Sequence, residues 1–403
     1  MKLFGLQITR AKNADIIDTS EKLASALGGW SMSTSGVEIN ARNAMQIGTV
    51  FMCVRVLAES IGMLPLRLYE EVGGSKNLVS GVRLANLLRN GPNDFMTAQE
   101  WKECVVTHLC LRGNHYSYVN KVRGEPRELL PLNPDAVKPI INDDWTIEYE
   151  VTFPNKIKRT LSQNEILHIR LFSVDGVNGL GPIQWCRNGL GLAKATEDHG
   201  SRLFKNGAHP GGGFQTDQTL KDEQYNRLKD QLDTFNSEGA HKPLILEGGL
   251  KWHQISLSAE DAQFLETRKF QRAEICGMFR VPPHMIADLE RATFSNIEHQ
   301  SLDFVQSALM PFMTRIEHRL AKSLLKPTSN QYFKFNANAL LRGDIKSRGE
   351  FYTKLQQAGA LSPNEIRELE DMNPRDGGDV YLTPLNMAHD GKPIKEGSNN
   401  AQE

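Results

Sequence analysis

The chain has 403 residues, enough for two or three structural modules of about 100 to 200 residues each. Its 39% hydrophobic and 24% charged residues are typical of globular proteins, and no run of about 18 apolar residues could span a bilayer, so no membrane partner is expected. The 47 basic and 48 acidic residues leave a formal charge of −1, which excludes the strongly basic surface of a protein that grips nucleic acid tightly.

The N-terminal 40 residues are polar and rich in Gly and Ser, which predicts a flexible arm over 1–40. Met1–Gln7 lacks the apolar core and cleavage site of a secretory signal, so we expect synthesis and work in a cytoplasm. The cysteines are scattered and form no zinc-like spacing, so all five are interpreted as small buried hydrophobic residues: Cys53, Cys104, Cys110, Cys186 and Cys276.

The first half of the chain alternates helical and strand patterns, which predicts an α+β region. Thr97 and Glu100 have the form of a capping box, so a helix should run from there to the break at Gly113. The remaining predicted elements are a helix over 44–61 and strands at Leu66–Tyr69, His115–Val119, Tyr149–Phe153 and Ile166–Ile169.

In the second half, long helical segments bracket a small module. Pro182 stands at a first-turn position, and one helix of about six turns is predicted over Ile183–Phe204. Its glycines, Gly189, Gly191 and Gly200, each cost about 1 kcal/mol relative to Ala, so we expect close helix packing to compensate.

The other predictions for this half follow from caps, turns and prolines. A second long helix should begin at Ser258 and end before Pro282, and a third should begin at a capping box, Ser295 to Glu298, with a kink at Pro311. The further predicted elements are a helix over Lys221–Phe235, a Gly-Gly hairpin within Pro243–Trp252, a strand at Tyr332–Phe335, a helix through Tyr352 and Leu355, and a helix at Pro363–Leu369.

Enzyme signatures are scarce. The chain has no Walker A sequence, no G-x-S-x-G elbow and no H-E-x-x-H motif. His108 and His115 are separated by the predicted helix break at Gly113, so they need not share a face, and ordinary core or surface histidines are favoured over metal ligands. We therefore expect no catalytic site, cofactor or metal. A metal-dependent phosphodiester hydrolase that uses these histidines is the alternative function.

A charge cluster lies on the second long helix and includes Arg268, Lys269 and Arg272. Such a cluster is most often a solvated helix face. The other interpretations are a subunit interface and a wall that faces DNA.

The order and spacing of short motifs from about residue 40 to 385 closely resemble those of the portal, or head-to-tail connector, family of long-tailed phages. No single motif is decisive, but their sequence is specific. The stretches that carry the resemblance are Arg112–Tyr116, Gly179–Pro182, Phe204–Ala208, Ser258–Phe264, Phe279–His284, Ala292–Glu298, Leu340–Asp344 and Gly377–Asp379.

The resemblance implies an α+β portal fold assembled as a ring of twelve subunits around a channel. Two long helices joined by a small module cannot bury their faces alone, so oligomerisation is also expected on physical grounds. The implied regions are a wing over 41–181, a first stem helix over 182–207, a clip over 208–257, a second stem helix over 258–283, a tunnel loop over 284–296, a wing segment with the kinked helix over 297–335, a short crown over 336–385 and a disordered tail over 386–403.

The resemblance also implies a function and partners. The ring would form the DNA channel at one capsid vertex and serve head assembly, DNA packaging, head–tail joining and DNA ejection. Its implied partners are double-stranded DNA bound without sequence specificity, the large terminase subunit, the major capsid and scaffolding proteins, and a head–tail adaptor. We expect the virion as its location, with host cytoplasm during assembly.

The candidate site residues line this expected channel. Near-neutral charge suits a conduit, because each neutralised phosphate adds affinity that opposes sliding. Stem residues Arg268, Lys269 and Arg272 would touch backbone phosphates without reading bases. The narrowest point would be lined by the tunnel loop residues Glu290, Arg291, Thr293 and Ser295.

Overall fold

The computed structural model describes residues 2–3, 6–7, 32–153, 155–205, 213–215, 222–223, 225–227, 229–230, 251–253, 259–289, 300–337, 345–370 and 372–382. The chain divides into two compact units, Met1–Phe335 and Asn336–Glu403.

The first unit is a mixture of helices and antiparallel sheets. Its helices are α1 (Ala41–Ala44), α2 (Gly48–Gly62), α3 (Arg83–Arg89), α4 (Ala98–Arg112), α5 (Pro182–Trp185), α6 (Arg187–Lys205), α7 (Ala259–Phe279) and α8 (Met310–Leu324). Its strands are β1 (Lys2–Leu3), β2 (Leu6–Gln7), β3 (Leu66–Val72), β4 (Ser75–Leu78), β5 (Asn114–Val122), β6 (Glu125–Leu132), β7 (Val137–Ile141), β8 (Ile147–Thr152), β9 (Lys158–Ser162), β10 (Ile166–Arg170), β11 (Gly213–Gln215), β12 (Lys251–His253) and β13 (Gln331–Phe335).

The strands form antiparallel sheets with the orders β10-β5-β6, β7-β8-β9 and β13-β3-β4, and two-stranded pairs β1-β2 and β11-β12. Helix α4 packs against α2 and β5. The fully buried side chains include Trp101 and Leu109 of α4 and Leu57 and Ile61 of α2. Burial of each such side chain stabilises the fold by about 1.5 to 3 kcal/mol.

Local sequence signals determine both ends of α4, as predicted. The backbone N–H of Glu100 donates to Thr97 Oγ1 at 3.2 Å, and the N–H of Thr97 donates to Glu100 Oε2 at 2.7 Å. Gly113 ends the helix at φ 73°, in the left-handed region that favours glycine. The strands predicted at Leu66–Tyr69 and Tyr332–Phe335 are also confirmed, and they pair with each other.

The predicted single helix over Ile183–Phe204 is wrong in one respect, because it is divided into α5 and α6. Cys186 leaves the helical region at ψ 17° and closes α5, while its carbonyl accepts from Leu190 N at 3.1 Å and so begins α6. Nη1 of Arg187 donates to the carbonyl of Gln184 at 3.3 Å across the break. The segment over 206–207 lies outside the described residues.

The distortion predicted at Pro311 takes the form of a π-helix. Helical residues 300–303 continue into a π-helix over Phe304–Leu309, and α8 begins at Met310. Pro311 has no N–H to donate and stands in the first turn of α8. The carbonyl of Ser307, four residues before it, accepts instead from Arg280 Nη1 at 3.1 Å. The predicted capping box at 295–298 lies outside the described residues.

The range predicted as a flexible arm, 1–40, ends in a turn that packs on α6. Ser33 is buried, and its Oγ donates to the carbonyl of Val37 at 2.6 Å. The N–H of Thr34 donates to Asn188 Oδ1 on α6 at 3.2 Å. Gly191 of α6 makes this contact possible, because a Cβ there would collide with the Ser33 side chain. Residues 32–40 therefore differ from the prediction.

Little of the predicted clip, 208–257, falls within the described residues. Strands β11 and β12 pair with Phe214 opposite Trp252, so the two ends of this segment meet. The described residues of the predicted helix over 221–235 are helical, and the predicted hairpin turn over 243–250 lies outside them.

The second unit contains α9 (Ile345–Gln357) and α10 (Pro363–Leu369), both at predicted places. Asn364 organises the segment that follows α10. Its Nδ2 donates to the carbonyl of Arg375 at 3.0 Å and to Asp379 Oδ1 at 2.9 Å, and its Oδ1 accepts from Arg375 N at 2.8 Å. A Cβ on Gly378 would overlap the Asn364 side chain.

Among the described helices of the chain, none is both long enough and apolar enough to cross a membrane.

Candidate functional site

Two of the motifs that carry the resemblance meet at the side chain of Asn114, at the start of β5. Its Nδ2 donates to the carbonyl of Gly179 at 2.8 Å and to that of Arg112 at 3.2 Å. Its Oδ1 accepts from Gly179 N at 2.7 Å and lies 3.0 Å from His168 Nε2. We call Asn114 with these partners the Asn114 clasp. It joins the end of α4 to the segment that leads into α5.

Glycines allow the backbones of the clasp to touch. Leu171 N donates to the carbonyl of Gly113 at 2.9 Å. A Cβ on Gly113 would lie 2.5 Å from the Leu180 carbonyl, and one on Gly179 would overlap the Gly113 carbonyl oxygen. Neither position can accept a side chain, so these motif residues are explained by packing.

Buried His168 completes the clasp as a neutral imidazole. Burial, followed by the nearby Arg170 and Arg319 guanidinium groups, lowers the pKa of His168 well below 6.5. The hydroxyl of Tyr149 lies 3.3 Å from Nδ1, and Asn114 Oδ1 can only accept, so we assign the proton to Nε2.

The two histidines at 108 and 115 lie together, which the sequence patterns did not predict. His108 Nδ1 lies 3.0 Å from His115 Nδ1, because Gly113 turns the chain from α4 directly into β5. Cys104, one turn before His108, places Sγ 3.6 Å from His108 Nε2. The sequence predicted ordinary core or surface histidines that need not share a face. The structure brings the two together because the break reverses the chain onto the helix that it ends.

The cysteines are free thiols. Cys53, Cys110 and Cys276 are buried, as predicted, whereas Cys104 and Cys186 are half-buried. Burial raises the pKa of Cys110 to about 12 and that of Cys104 to about 11.

Helices α6 and α7 lie side by side, and we call them the stem pair. Gln271 Nε2 of α7 donates to Thr196 Oγ1 of α6 at 3.1 Å. A Cβ on Gly189 would lie 3.0 Å from Glu274 Oε1 on α7, so the expected close packing is confirmed at this glycine. At Gly191 the close neighbour is Ser33 instead of the second helix.

The candidate basic residues of α7 differ in their surroundings. Arg268 and Lys269 are exposed beside Phe270, which is 71% exposed. Nη1 of Arg272 lies 3.2 Å from Asp288 Oδ2, an ion pair that reduces its charge toward a phosphate. This acidic partner was not predicted, because the loop that carries Asp288 shows no sequence pattern that would place it beside α7.

The four candidate tunnel-loop residues lie outside the described residues: Glu290, Arg291, Thr293 and Ser295. The start of the predicted loop, 284–296, is a 3-10 turn at Pro283–Ile286 with Ile286 buried. His284 Nδ1 lies 2.8 Å from Gln300 Oε1, which connects the two ends of the loop.

Solved structures with this fold include proteins from gene transfer agent particles and a phage portal protein. The chain aligns with a protein from the virion of a native gene transfer agent particle at TM-score 0.60 and 26% identity, covering 88% of this chain and 99% of that one. A chain from the neck of the native gene transfer agent particle, computed with C12 symmetry, aligns at TM-score 0.59 and 25% identity, covering 88% of this chain and 99% of that one. The crystal structure of an HK97-family phage portal protein from Corynebacterium diphtheriae shares the fold at TM-score 0.56 and 14% identity, covering 78% of this chain and 99% of that one. The fold therefore belongs to the class of portal and neck proteins.

Sequence comparisons identify the family. The family model described as "Phage portal protein" matches residues 48–371. The portal protein of Enterobacteria phage HK97 is 33% identical over 356 residues, 85% of this chain and 83% of that protein. The probable portal protein of Streptomyces phage phiC31 is 30% identical over 380 residues, 90% and 82% respectively. The chain belongs to the phage portal protein family and has a phage portal function.

Proposed function

We propose that twelve copies of this chain form a ring at one capsid vertex and enclose the channel through which double-stranded DNA passes during packaging and ejection. The match of the portal family model over residues 48–371 carries this proposal. The relation to a neck structure computed with C12 symmetry supports the subunit number. The role is structural and not enzymatic, and neither the family nor the relatives named above favour the hydrolase alternative.

The stem pair provides the physical support for a ring. Leu192 on α6 and Phe270 on α7 are 48% and 71% exposed in the single chain. Large apolar side chains exposed on paired helices are stabilised when neighbouring copies cover them. A net charge of −1 suits a channel through which DNA must slide, because each phosphate that a basic group neutralises adds affinity.

Within the ring, we assign Arg268 and Lys269 to phosphate contacts along the stem and the four tunnel-loop residues to the narrowest point. Arg272 has a smaller part, because its ion pair with Asp288 already uses much of its charge. Backbone phosphates offer no sequence information, so this wall tolerates any DNA that moves past it.

The partners follow from the same role. We propose that the clip, 208–257, contacts the large terminase subunit during packaging and a head–tail adaptor afterwards. The major capsid and scaffolding proteins surround the ring during assembly in the host cytoplasm, and the virion is its final location.

Ring formation is tested by measuring the mass of the purified full-length chain and imaging it in negative stain. We expect a ring of about twelve copies with a central hole. A monomer both alone and with purified scaffolding protein would contradict the proposal.

The channel assignment needs a packaging assay with purified terminase and proheads. Replacing the tunnel-loop side chains together by Ala (Glu290→Ala, Arg291→Ala, Thr293→Ala and Ser295→Ala) should reduce the amount of DNA retained. Lys76→Ala and Lys158→Ala, on exposed strands β4 and β9, form the control. Equal packaging and retention by rings of both variants would show that the loop does not line the channel.

A further inference from the structure

Cys104, His108 and His115 form a cluster that the portal function does not use. One donor atom from each residue lies within 4.8 Å of the donor atoms of the other two. Among the described residues, this is the one group of three or more His, Cys or carboxylate side chains with such spacing. Cys104 and His108 are four residues apart on one face of α4, and His115 follows on β5.

We propose that these three residues bind one Zn²⁺ ion that fastens α4 to β5. Zn–S and Zn–N bonds of about 2.3 and 2.1 Å at tetrahedral angles separate S and N by about 3.6 Å and two N atoms by about 3.4 Å. Cys104 Sγ lies 3.6 Å from Nε2 of His108, and His115 Nδ1 lies 3.0 Å from Nδ1 of the same His108 ring. One ion can bind only one of these two nitrogens, so we assign Nδ1 of His108 as its ligand. The three donor atoms already lie within 4.8 Å of one another, and a turn of the His108 ring would bring Nδ1 and the Cys104 sulfur to the same ion.

A second layer of contacts orients His115 toward the ion. Nε2 of His115 lies 2.8 Å from Ser117 Oγ, which also accepts from Trp101 Nε1 at 3.2 Å. The hydroxyl oxygen can accept from both N–H groups, which leaves the lone pair of His115 Nδ1 directed at His108. A partner that holds the second ring nitrogen is the usual support for a zinc-ligating histidine.

Binding of the ion moves one proton and releases another. His115 keeps its proton on Nε2, toward Ser117, and the proton of His108 moves from Nδ1 to Nε2 when Nδ1 binds the ion. The Cys104 thiol loses its proton to solvent and binds as a thiolate. Three protein ligands leave one position for a water molecule.

Burial argues against catalysis at this ion, although three protein ligands leave one position open. His115 is fully buried, so no substrate can reach the ion through its side. The ion joins the last turns of α4 to the first residues of β5, on either side of Gly113. It would therefore stabilise the chain reversal that also positions Asn114, and it would do so without reviving the hydrolase interpretation.

Zinc titration of the full-length, metal-stripped protein tests the proposal. We expect one Zn²⁺ per chain by calorimetry, a rise in the unfolding midpoint, and the visible absorption of a tetrahedral Co²⁺–thiolate site when Co²⁺ replaces Zn²⁺. Cys104→Ser and His108→Gln should each weaken binding by about 100-fold or more. The matched controls are Cys186→Ser, another half-buried thiol, and His318→Gln, an exposed histidine on α8.

A measurement on the unmodified protein does not depend on whether the variants fold. Bound Zn²⁺ should protect Cys104, but not Cys186, from an alkylating reagent when the modified peptides are mapped. Absence of stoichiometric Zn²⁺ binding, or binding that survives both Cys104→Ser and His108→Gln, would overturn the proposal. In that case the cluster is a buried hydrogen-bonded chain and nothing more.

Discussion

The Asn114 clasp and the stem pair α6–α7 differ in how far their side chains are buried within one chain. In the clasp, the side chain of Asn114 makes four hydrogen bonds, and His168 is buried by the same chain. In the stem pair, Leu192 and Phe270 remain largely exposed. The clasp is complete in one chain, whereas these two side chains of α6 and α7 are not covered by the described residues of their own chain.

This difference separates stability from assembly. Residues of the clasp should determine whether one chain folds, because each buried polar group there depends on a partner within the chain. Exposed residues of the stem should determine whether folded chains associate. Substitutions in the two regions are therefore expected to affect different measurements.

The largest effect is expected for Gly179→Ala. The added Cβ would overlap the carbonyl oxygen of Gly113 and lie 2.9 Å from Leu171 N, so two backbone segments would have to move apart. The free energy of unfolding, measured with urea, should fall by more than about 4 kcal/mol, or the protein should fail to accumulate in soluble form.

Gly124→Ala is the matched control for this glycine. Gly124 has φ 82°, and a Cβ added there would have no described atom within 4 Å, so only the left-handed backbone is penalised, by about 1 to 2 kcal/mol. Equal losses for Gly124→Ala and Gly179→Ala would mean that the close approach at the clasp does not matter.

Asn114→Ala should have the next largest effect. It removes the acceptor for Gly179 N and His168 Nε2 and leaves both N–H groups buried without a partner. We expect a loss of about 3 kcal/mol in the free energy of unfolding. Asn142→Ala, which removes only an exposed hydrogen bond to Thr146, should change it by less than about 0.5 kcal/mol. A near-neutral Asn114→Ala would show that water or a side-chain shift replaces the clasp.

His168 should make the clasp sensitive to acid. Its pKa is well below 6.5 in the folded chain, so below about pH 6.5 the unfolded state takes up a proton that the folded state does not. Stability is therefore fully present above that pH and falls as the pH decreases, by up to about 1.4 kcal/mol per pH unit for this one group.

His168→Gln should remove that part of the pH dependence. Urea unfolding between about pH 7 and about pH 5 measures the slope, and His318→Gln, at an exposed position, should leave the slope unchanged. If His168→Gln keeps the full slope, other groups account for the acid sensitivity.

Local signals in the sequence were sufficient to place individual helices and strands. The capping box at Thr97, the turn at Gly113 and the strands at 66 and 332 lie where sequence patterns predict them, because each depends on residues within a few positions. The family resemblance extended this to the α+β portal fold, which the comparisons confirm.

Contacts between distant segments could not be predicted in the same way. The break at Cys186, the packing of Ser33 on Gly191 and the ion pair of Arg272 with Asp288 depend on tertiary neighbours that no local pattern encodes. The contact between His108 and His115 could have been predicted from the sequence. A helix that ends in a left-handed glycine and continues as a strand turns back along itself.

The smallest effect on stability and the clearest effect on assembly are expected for Phe270→Ser. Because Phe270 is 71% exposed, its loss should change the free energy of unfolding of one chain by less than about 0.5 kcal/mol. Phe95 is also 71% exposed but lies outside the stem, so Phe95→Ser is a control of the same residue type and exposure. Covering a phenylalanine at a subunit interface contributes more than about 1.4 kcal/mol, so the fraction of rings in a mass measurement should fall at least about tenfold for Phe270→Ser only. Equal assembly of both variants would place the subunit contacts away from this face of α7.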